Sequence, residues 1–231
     1  MAMVLIAAPK IISFSNDFYD IPSRAISVEP VYLSGIESRI RSASVKVIGA
    51  NSGHGSGCYM QVGGRYFVFT AQHVVDTGTT YNVRTNSGDV APGIVVYRDE
   101  KNDFAILSVQ EIDGLRAIRL KYPRSSARRD NLVGTKVFYS GFPSGHDVIS
   151  IRGEIAGFER NESKIIINAY GWMGSSGSCV FDGMGNMLGV VSALDVGVFE
   201  VPQLIEDIVW IIPYYELNFR EVKRLILLEE N

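Results

Sequence analysis

Short apolar runs rich in Val, Ile, Tyr and Phe recur along the chain, separated by Gly, Asn, Asp or Ser. They are Val45–Ile48, Tyr66–Thr70, Tyr81–Thr85, Ile94–Tyr97, Phe104–Val109, Lys136–Tyr139, Ile149–Ile151, Lys164–Asn168, Cys179–Phe181 and Met187–Ser192. Short strands with turn signals at this spacing predict a sandwich or barrel, not alternating β-α units. The polar stretch KYPRSSARRDN, between Leu120 and Leu132, reads as a linker that divides the strands into two comparable halves. Its basic residues Lys121, Arg124, Arg128 and Arg129 read as a solvated face, with contact to an acidic partner or to RNA as the alternative.

Both ends depart from the strand pattern. A short helix is predicted around Gly35–Arg41. Near the C-terminus, Asn218 with Glu221 resembles a capping box, and Phe219, Val222 and Ile226 mark one apolar face of a closing helix. The resulting division is an N-terminal arm at 1–40, a first half at 41–121, the linker at 122–130, a second half at 131–214 and a closing helix at 215–231.

Composition then narrows the class. With 231 residues, 46% hydrophobic and 20% charged, the chain has enough apolar material for a proper core. Its formal net charge of −3 makes nucleic acid an unlikely main partner. Two cysteines exclude a disulfide scaffold and a four-cysteine zinc site. No apolar run approaches the roughly 18 residues that span a bilayer. The start MAMVLIAAPK has no basic residue before its apolar stretch and makes a poor secretory signal, so an intracellular protein or a piece of a larger precursor is expected.

Candidate chemistry sits in three segments. Gly171-Trp-Met-Gly-Ser-Ser-Gly-Ser-Cys-Val180 crowds small residues around Ser176, which lets the backbone present one hydroxyl and aim amide N–H groups at one point. Acyl transfer needs that arrangement; a bland turn between strands is the alternative. Thr70-Ala-Gln-His-Val74 places His73 at the end of an apolar strand, with a hydrogen-bonded core histidine as the alternative. His54, in a Gly/Ser segment, and His146, in Pro143-Ser-Gly-His, read as exposed loop residues. Asn102-Asp-Phe-Ala-Ile-Leu107 puts Asp103 at the head of an apolar strand, where a buried acid needs a partner. A histidine N–H would satisfy it and would itself be fixed in the tautomer a general base requires.

Together these segments resemble the chymotrypsin-fold serine proteases: TAQHV is similar to the family's TAxHV, NDFAIL to D-x-A-x-L and GSSGSC to G-x-S-G-G/S-P. The resemblance covers roughly residues 43–228, and it is nearest to high-temperature-requirement proteases, staphylococcal-type glutamyl endopeptidases and RNA-virus serine proteases. Gly55-Ser-Gly57, read as a turn before the histidine strand, together with Gly141-Phe-Pro143 and Ile212-Pro213 resembles the first group, although its PDZ domain is not expected here. The resemblance implies an all-β fold of two antiparallel six-stranded barrels with a C-terminal helix. It implies Ser176 as nucleophile, His73 as general base and acid, Asp103 as orienting carboxylate, and the N–H groups of Gly174 and Ser176 as the oxyanion hole. Ser192 resembles the serine that supports the aspartate. Ser175 and Ser178 are rival nucleophiles, and Ser176 alone sits in the G-x-S-G register.

The implied substrate is a polypeptide, with no cofactor or metal. The implied primary pocket is Tyr170, Gly171, Trp172, Met173, Ser192, Ala193 and Leu194. Tyr170 is no aspartate and Val191 is no histidine, which argues for an apolar or modest pocket over Arg/Lys or Glu/Gln preference. Cys58 and Cys179 are expected near each other as buried small apolar side chains rather than a bridge. Expected roles are viral polyprotein processing in the host cytoplasm or intracellular bacterial proteolysis, with a catalytically silent binding module as the other class.

Overall fold

Along Thr80–Arg84 every second side chain is buried, as a strand with one face on a core requires. Tyr66–Thr70 by contrast ends in four consecutive buried residues, because that strand is covered on both faces. The computed structural model describes residues 32–49, 53–121, 132–159, 163–198 and 202–218, and the helical backbone of Arg224. The linker at 122–130, the N-terminal arm up to residue 31, and the closing helix with its apolar face beyond residue 218, apart from Arg224, lie outside these residues, while the expected start of that helix falls in a 3-10 turn at Tyr214–Glu216.

One helix and thirteen strands are described, all within the unit that begins at Leu33. Helix α1 (Gly35–Ala43) leads into β1 (Ser44–Ile48), β2 (His54–Val62), β3 (Arg65–Thr70), β4 (Thr80–Arg84), β5 (Val90–Asp99) and β6 (Phe104–Val109). These six strands close in the order β1-β4-β5-β6-β3-β2, with β2 returning to β1 through pairs such as Lys46 with Ser56. The short β7 (Ile118–Arg119) adds to β2 in parallel. The second barrel runs β8 (Lys136–Gly141), β9 (Ile149–Phe158), β10 (Ile165–Asn168), β13 (Pro202–Pro213), β12 (Met187–Val198) and β11 (Cys179–Asp182), closing on β8. The fold is therefore all-β, two six-stranded antiparallel barrels, as the resemblance implied.

The larger core cluster fills the first barrel with Tyr59, Phe69, Phe104 and Leu107, then continues into second-barrel residues Phe138, Phe181 and Ile212. A second cluster around Tyr139, Ile155, Ile167 and Val209 fills the other barrel. The barrels thus share apolar packing, and that shared wall carries the site.

Two expectations need correction. The segment around Gly55-Ser-Gly57 is no turn: it lies inside β2 and pairs with β1. Its glycines answer close approach, since a Cβ on Gly55 would come 2.5 Å from a Val74 methyl and 3.0 Å from the Ser176 carbonyl. The cysteines, expected as separate thiols, instead form a disulfide between β2 and β11, with Cα atoms 5.9 Å apart, inside the range a bridge requires.

Candidate active site

His73 sits in a single 3-10 turn, Gln72–Val75, directly after β3. It is no core histidine, since 47% of its side chain is exposed. Asp103 immediately precedes β6 in a left-handed conformation, φ 48°. Aspartate tolerates that region better than most residues. The antiparallel pairing of β3 with β6, Thr70 opposite Ala105, brings the two ends side by side.

There Asp103 Oδ1 accepts the His73 backbone N–H at 3.0 Å and the ring Nδ1–H at 2.9 Å, while Oδ2 lies 3.0 Å from Nδ1. A carboxylate only accepts, so the ring proton rests on Nδ1 and Nε2 is left as a base. Ser192 on β12 donates its hydroxyl to Asp103 Oδ2 at 2.5 Å. Hydrogen bonding to Asp103 raises the His73 pKa above its ordinary 6.5 against the opposing effect of burial, with the charges of Asp103 and Asp76 adding to the rise. For Asp103, burial pushes the pKa up, but the bonds from His73 and Ser192 prevail and hold it below the usual carboxylate value.

The three serines differ in burial. Ser175 is 1% exposed and Ser178 0%, whereas Ser176 is half-buried. The loop is fixed by Ser175 N–H to Trp172 C=O at 2.9 Å, Gly177 N–H to Val191 C=O at 2.8 Å and Ser56 N–H to Ser176 C=O at 2.7 Å. Gly177 has φ +89°, and a Cβ there would fall 2.0 Å from the Ser56 carbonyl, so only glycine fits. The Ser176 hydroxyl makes a long 3.5 Å contact with the Ser192 carbonyl and no hydrogen bond to His73. Both side chains open into one cleft of about 420 Å³, whose walls include His54, Met173 and Gly174. A larger cavity of about 710 Å³, beside Arg39, Glu111 and Arg119, is lined by no histidine, serine or cysteine.

Gly174 has φ +98°. The Met173 carbonyl before it is occupied by the Ser144 N–H at 2.7 Å. A trans peptide points its N–H opposite to its C=O, so the Gly174 N–H faces away from Ser144. In the implied pocket, a Cβ on Gly171 would meet Leu194 at 2.5 Å and Val209 at 2.6 Å. Ala193 and Leu194 follow Ser192 on β12 and pair with Trp210 and Val209 of β13. Trp172 is half-buried, whereas Tyr170 and Met173 have exposed side chains. Val191 is buried in the second core.

The exposed-loop reading does not hold for His54. It opens β2, is half-buried, and places Nε2 3.0 Å from the Phe142 carbonyl at the cleft wall. The signal was available, because small residues alternating through HGSGCYM fit a strand pressed against another backbone. His146 is exposed at the end of the Pro143–Gly145 turn, in keeping with its loop reading. Among the described residues, no group of three or more His, Cys, Asp or Glu side chains is arranged to hold a metal ion. No described helix is long and apolar enough to cross a membrane.

The family model described as a trypsin-like peptidase domain matches residues 55–190. Among solved structures, the chain is similar to a serine endoprotease from Yersinia pestis, with TM-score 0.67 and 22% identity over 85% of this chain and 68% of that one. It is also similar to a protein of M. tuberculosis in the inactive form of a serine-to-alanine mutant, with TM-score 0.61 and 19% identity over 82% of this chain and 89% of that one. At these identities the likeness is one of fold. No curated protein matches the chain in sequence.

Proposed function

The chain belongs to the trypsin-like peptidase domain family, and from that premise we propose that it is a serine endopeptidase acting through Ser176, His73 and Asp103. The carrying observation is the His73–Asp103 pair, tied by the Ser192 hydroxyl and opening into the same cleft as the one accessible serine of its loop.

In this reading Ser176 Oγ attacks the scissile carbonyl carbon while His73 Nε2 takes its proton. The carbonyl π pair moves onto oxygen, and the N–H groups of Gly174 and Ser176 hold that oxyanion. Its collapse expels the amine, which takes the proton from His73 and leaves an ester on Ser176. Water, deprotonated by His73, then attacks the ester. The second tetrahedral intermediate collapses, His73 returns the proton to Ser176 Oγ, and the acid product is released. Asp103 stays ionised throughout and holds the imidazolium in place. Hydrogen bonds in substrate-free sites are often long and tighten when substrate binds, which fits the open Ser176–His73 geometry.

The apolar contacts of Leu194 and Val209 at Gly171 support preference for an apolar or modest side chain before the cleaved bond. Peptide-library profiling tests this, and clustering after Arg, Lys, Glu or Gln contradicts it. For biological role we propose processing of a viral polyprotein in the host cytoplasm, supported by a compact two-barrel frame, with intracellular bacterial proteolysis as the alternative. Reporters fused at both ends test it: release by the wild type and not by Ser176→Ala supports self-processing, and no release contradicts it.

The activity itself is tested by peptide hydrolysis. Asp103→Asn is expected to lower kcat by about 10⁴-fold, with Ser176→Ala at least as low. Wild-type-like turnover in Ser176→Ala would discard the assignment, and an inert wild type would favour the silent binding module.

A further inference from the structure

The backbone on either side of the Gly174 N–H is gripped by a strap of hydrogen bonds that no part of the triad requires. The Met173 carbonyl takes the Ser144 N–H at 2.7 Å. The Gly174 carbonyl takes the Ser56 hydroxyl at 2.6 Å. That hydroxyl also accepts the Phe142 N–H at 2.9 Å, so it works as donor and acceptor at once. Phe142 in turn has its carbonyl filled by His54 Nε2, 3.0 Å away. A carbonyl only accepts, so His54 carries a proton on Nε2. His54 and Ser56 belong to β2 of the first barrel, while Phe142, Ser144 and Gly174 belong to loops of the second.

Glycine at φ +98° is conformationally permissive and does not by itself choose an orientation for its peptide. Turning the Met173–Gly174 unit over would put a carbonyl lone pair where negative charge develops during acyl transfer, and would release the Ser144 N–H. The strap lies directly against this glycine. A Cβ on Gly174 would come 2.5 Å from the Phe142 carbonyl oxygen and 2.8 Å from His54 Nε2. Ser56 is fully buried and is positioned to act on the backbone rather than on a substrate.

We propose that Ser56, braced through Phe142 by His54, is a positioning residue that keeps the Gly174 N–H aimed at the reacting oxygen. This rests on the serine endopeptidase reading. The substrate oxygen becomes an anion only at the transition state and in the tetrahedral intermediates, so loosening the strap removes an interaction made there and not in the ground state. The damage belongs in kcat, with KM nearly unchanged. It also belongs in affinity for a peptide aldehyde, whose tetrahedral hemiacetal with Ser176 places its oxygen at the same N–H groups.

The experiment compares wild type, Ser56→Ala, His54→Leu and His54→Gln by steady-state hydrolysis, peptide-aldehyde inhibition and melting temperature. Ser56→Ala is expected to lose about 10- to 100-fold in kcat, with KM within about twofold and aldehyde affinity falling in step with kcat. His54→Leu is expected to lose less in the same pattern, and His54→Gln, which keeps an N–H donor, to recover most of that loss. If Ser56→Ala does not fold, the two His54 variants decide the matter. Folded variants with wild-type kcat and aldehyde affinity, or with losses confined to KM, would overturn the positioning role while leaving the endopeptidase reading intact. A wild type that neither hydrolyses peptides nor binds the aldehyde would overturn both.

Discussion

In the proposed mechanism His73 acts as a base only while Nε2 is free of a proton, so its pKa would set the acid limb of activity. Hydrogen bonding to Asp103 raises that pKa above 6.5. The account predicts that kcat/KM falls as pH drops through a midpoint above 6.5, and that Asp103→Asn moves the midpoint of its residual activity downward. A wild-type midpoint below 6.5 would contradict the coupling. The linked stability has the opposite sense: a raised histidine pKa stabilises the fold below 6.5, and that contribution is lost as pH rises through the folded value. Two neighbours of Ser176 should behave in contrasting ways. Among the described residues Ser178 Oγ is buried without a hydrogen-bond partner, which costs on the order of 1–3 kcal/mol. Ser178→Ala is therefore expected to keep its activity and to melt at or above the wild-type temperature. Gly177→Ala forces a side chain into the Ser56 carbonyl at positive φ and is expected to cost more than about 3 kcal/mol or to prevent folding. Thermal melts of both variants check the pair.

Helix α1 shows how an element outside the barrels is held to them. Ser34 accepts the Glu37 N–H at 3.2 Å, and Glu37 returns a bond to the Ser34 N–H at 2.7 Å, closing a capping box. The same carboxylate reaches Arg152 of β9 at 2.5 and 2.8 Å. The Arg152 guanidinium is the largest cause that holds Glu37 down to about 2, against the opposing effect of burial. A depressed carboxylate stabilises the fold above its ordinary pKa near 4.5 and loses that contribution as pH falls toward 2. The melting-temperature gap between wild type and Glu37→Gln should therefore be full above pH 4.5 and close between there and pH 2; a gap flat across that window would contradict the ion pair. Ser34→Ala should cost about 1 kcal/mol through the lost cap.

The helix was legible in the sequence, and so were strands that are nearly continuous apolar runs, such as Phe104–Val109, whose bounds match β6. What escaped were elements whose pattern serves another surface. In β2, glycines at 55 and 57 read as a turn but are there to let Val74, Val68 and the Ser176 carbonyl approach. In β13, Glu206, Asp207 and flanking prolines mask a strand whose first half is largely exposed and whose second half is core. The candidates His73, Asp103 and Ser176 stood out because each sits in a distinctive local motif. The strap from His54 was not, because its bonds join residues 88 and 118 positions apart.

At the scale of the whole molecule, the two barrels meet through shared apolar packing, the Ser56 bonds and the Cys58–Cys179 bridge three residues beyond Ser176. The bridge closes a separation of 121 residues, for which a chain-entropy model gives up to about 4–5 kcal/mol of stabilisation. Reductant, or Cys58→Ser with Cys179→Ser, should lower the melting temperature by several degrees. Two titratable thiols in the oxidised, denatured protein would instead restore the reading of two separate cysteines. Bridges persist in oxidising compartments, so that count also bears on the proposed cytoplasmic setting. The central claim is that this two-barrel frame activates one serine out of three adjacent candidates. Its most direct test is fluorophosphonate labelling at neutral pH, with the adduct mapped by peptide mass in wild type, Ser176→Ala and Ser178→Ala. The account predicts one adduct, on Ser176, present in wild type and Ser178→Ala and absent in Ser176→Ala. Equal labelling of Ser176→Ala, or no adduct on the wild-type chain, would contradict it.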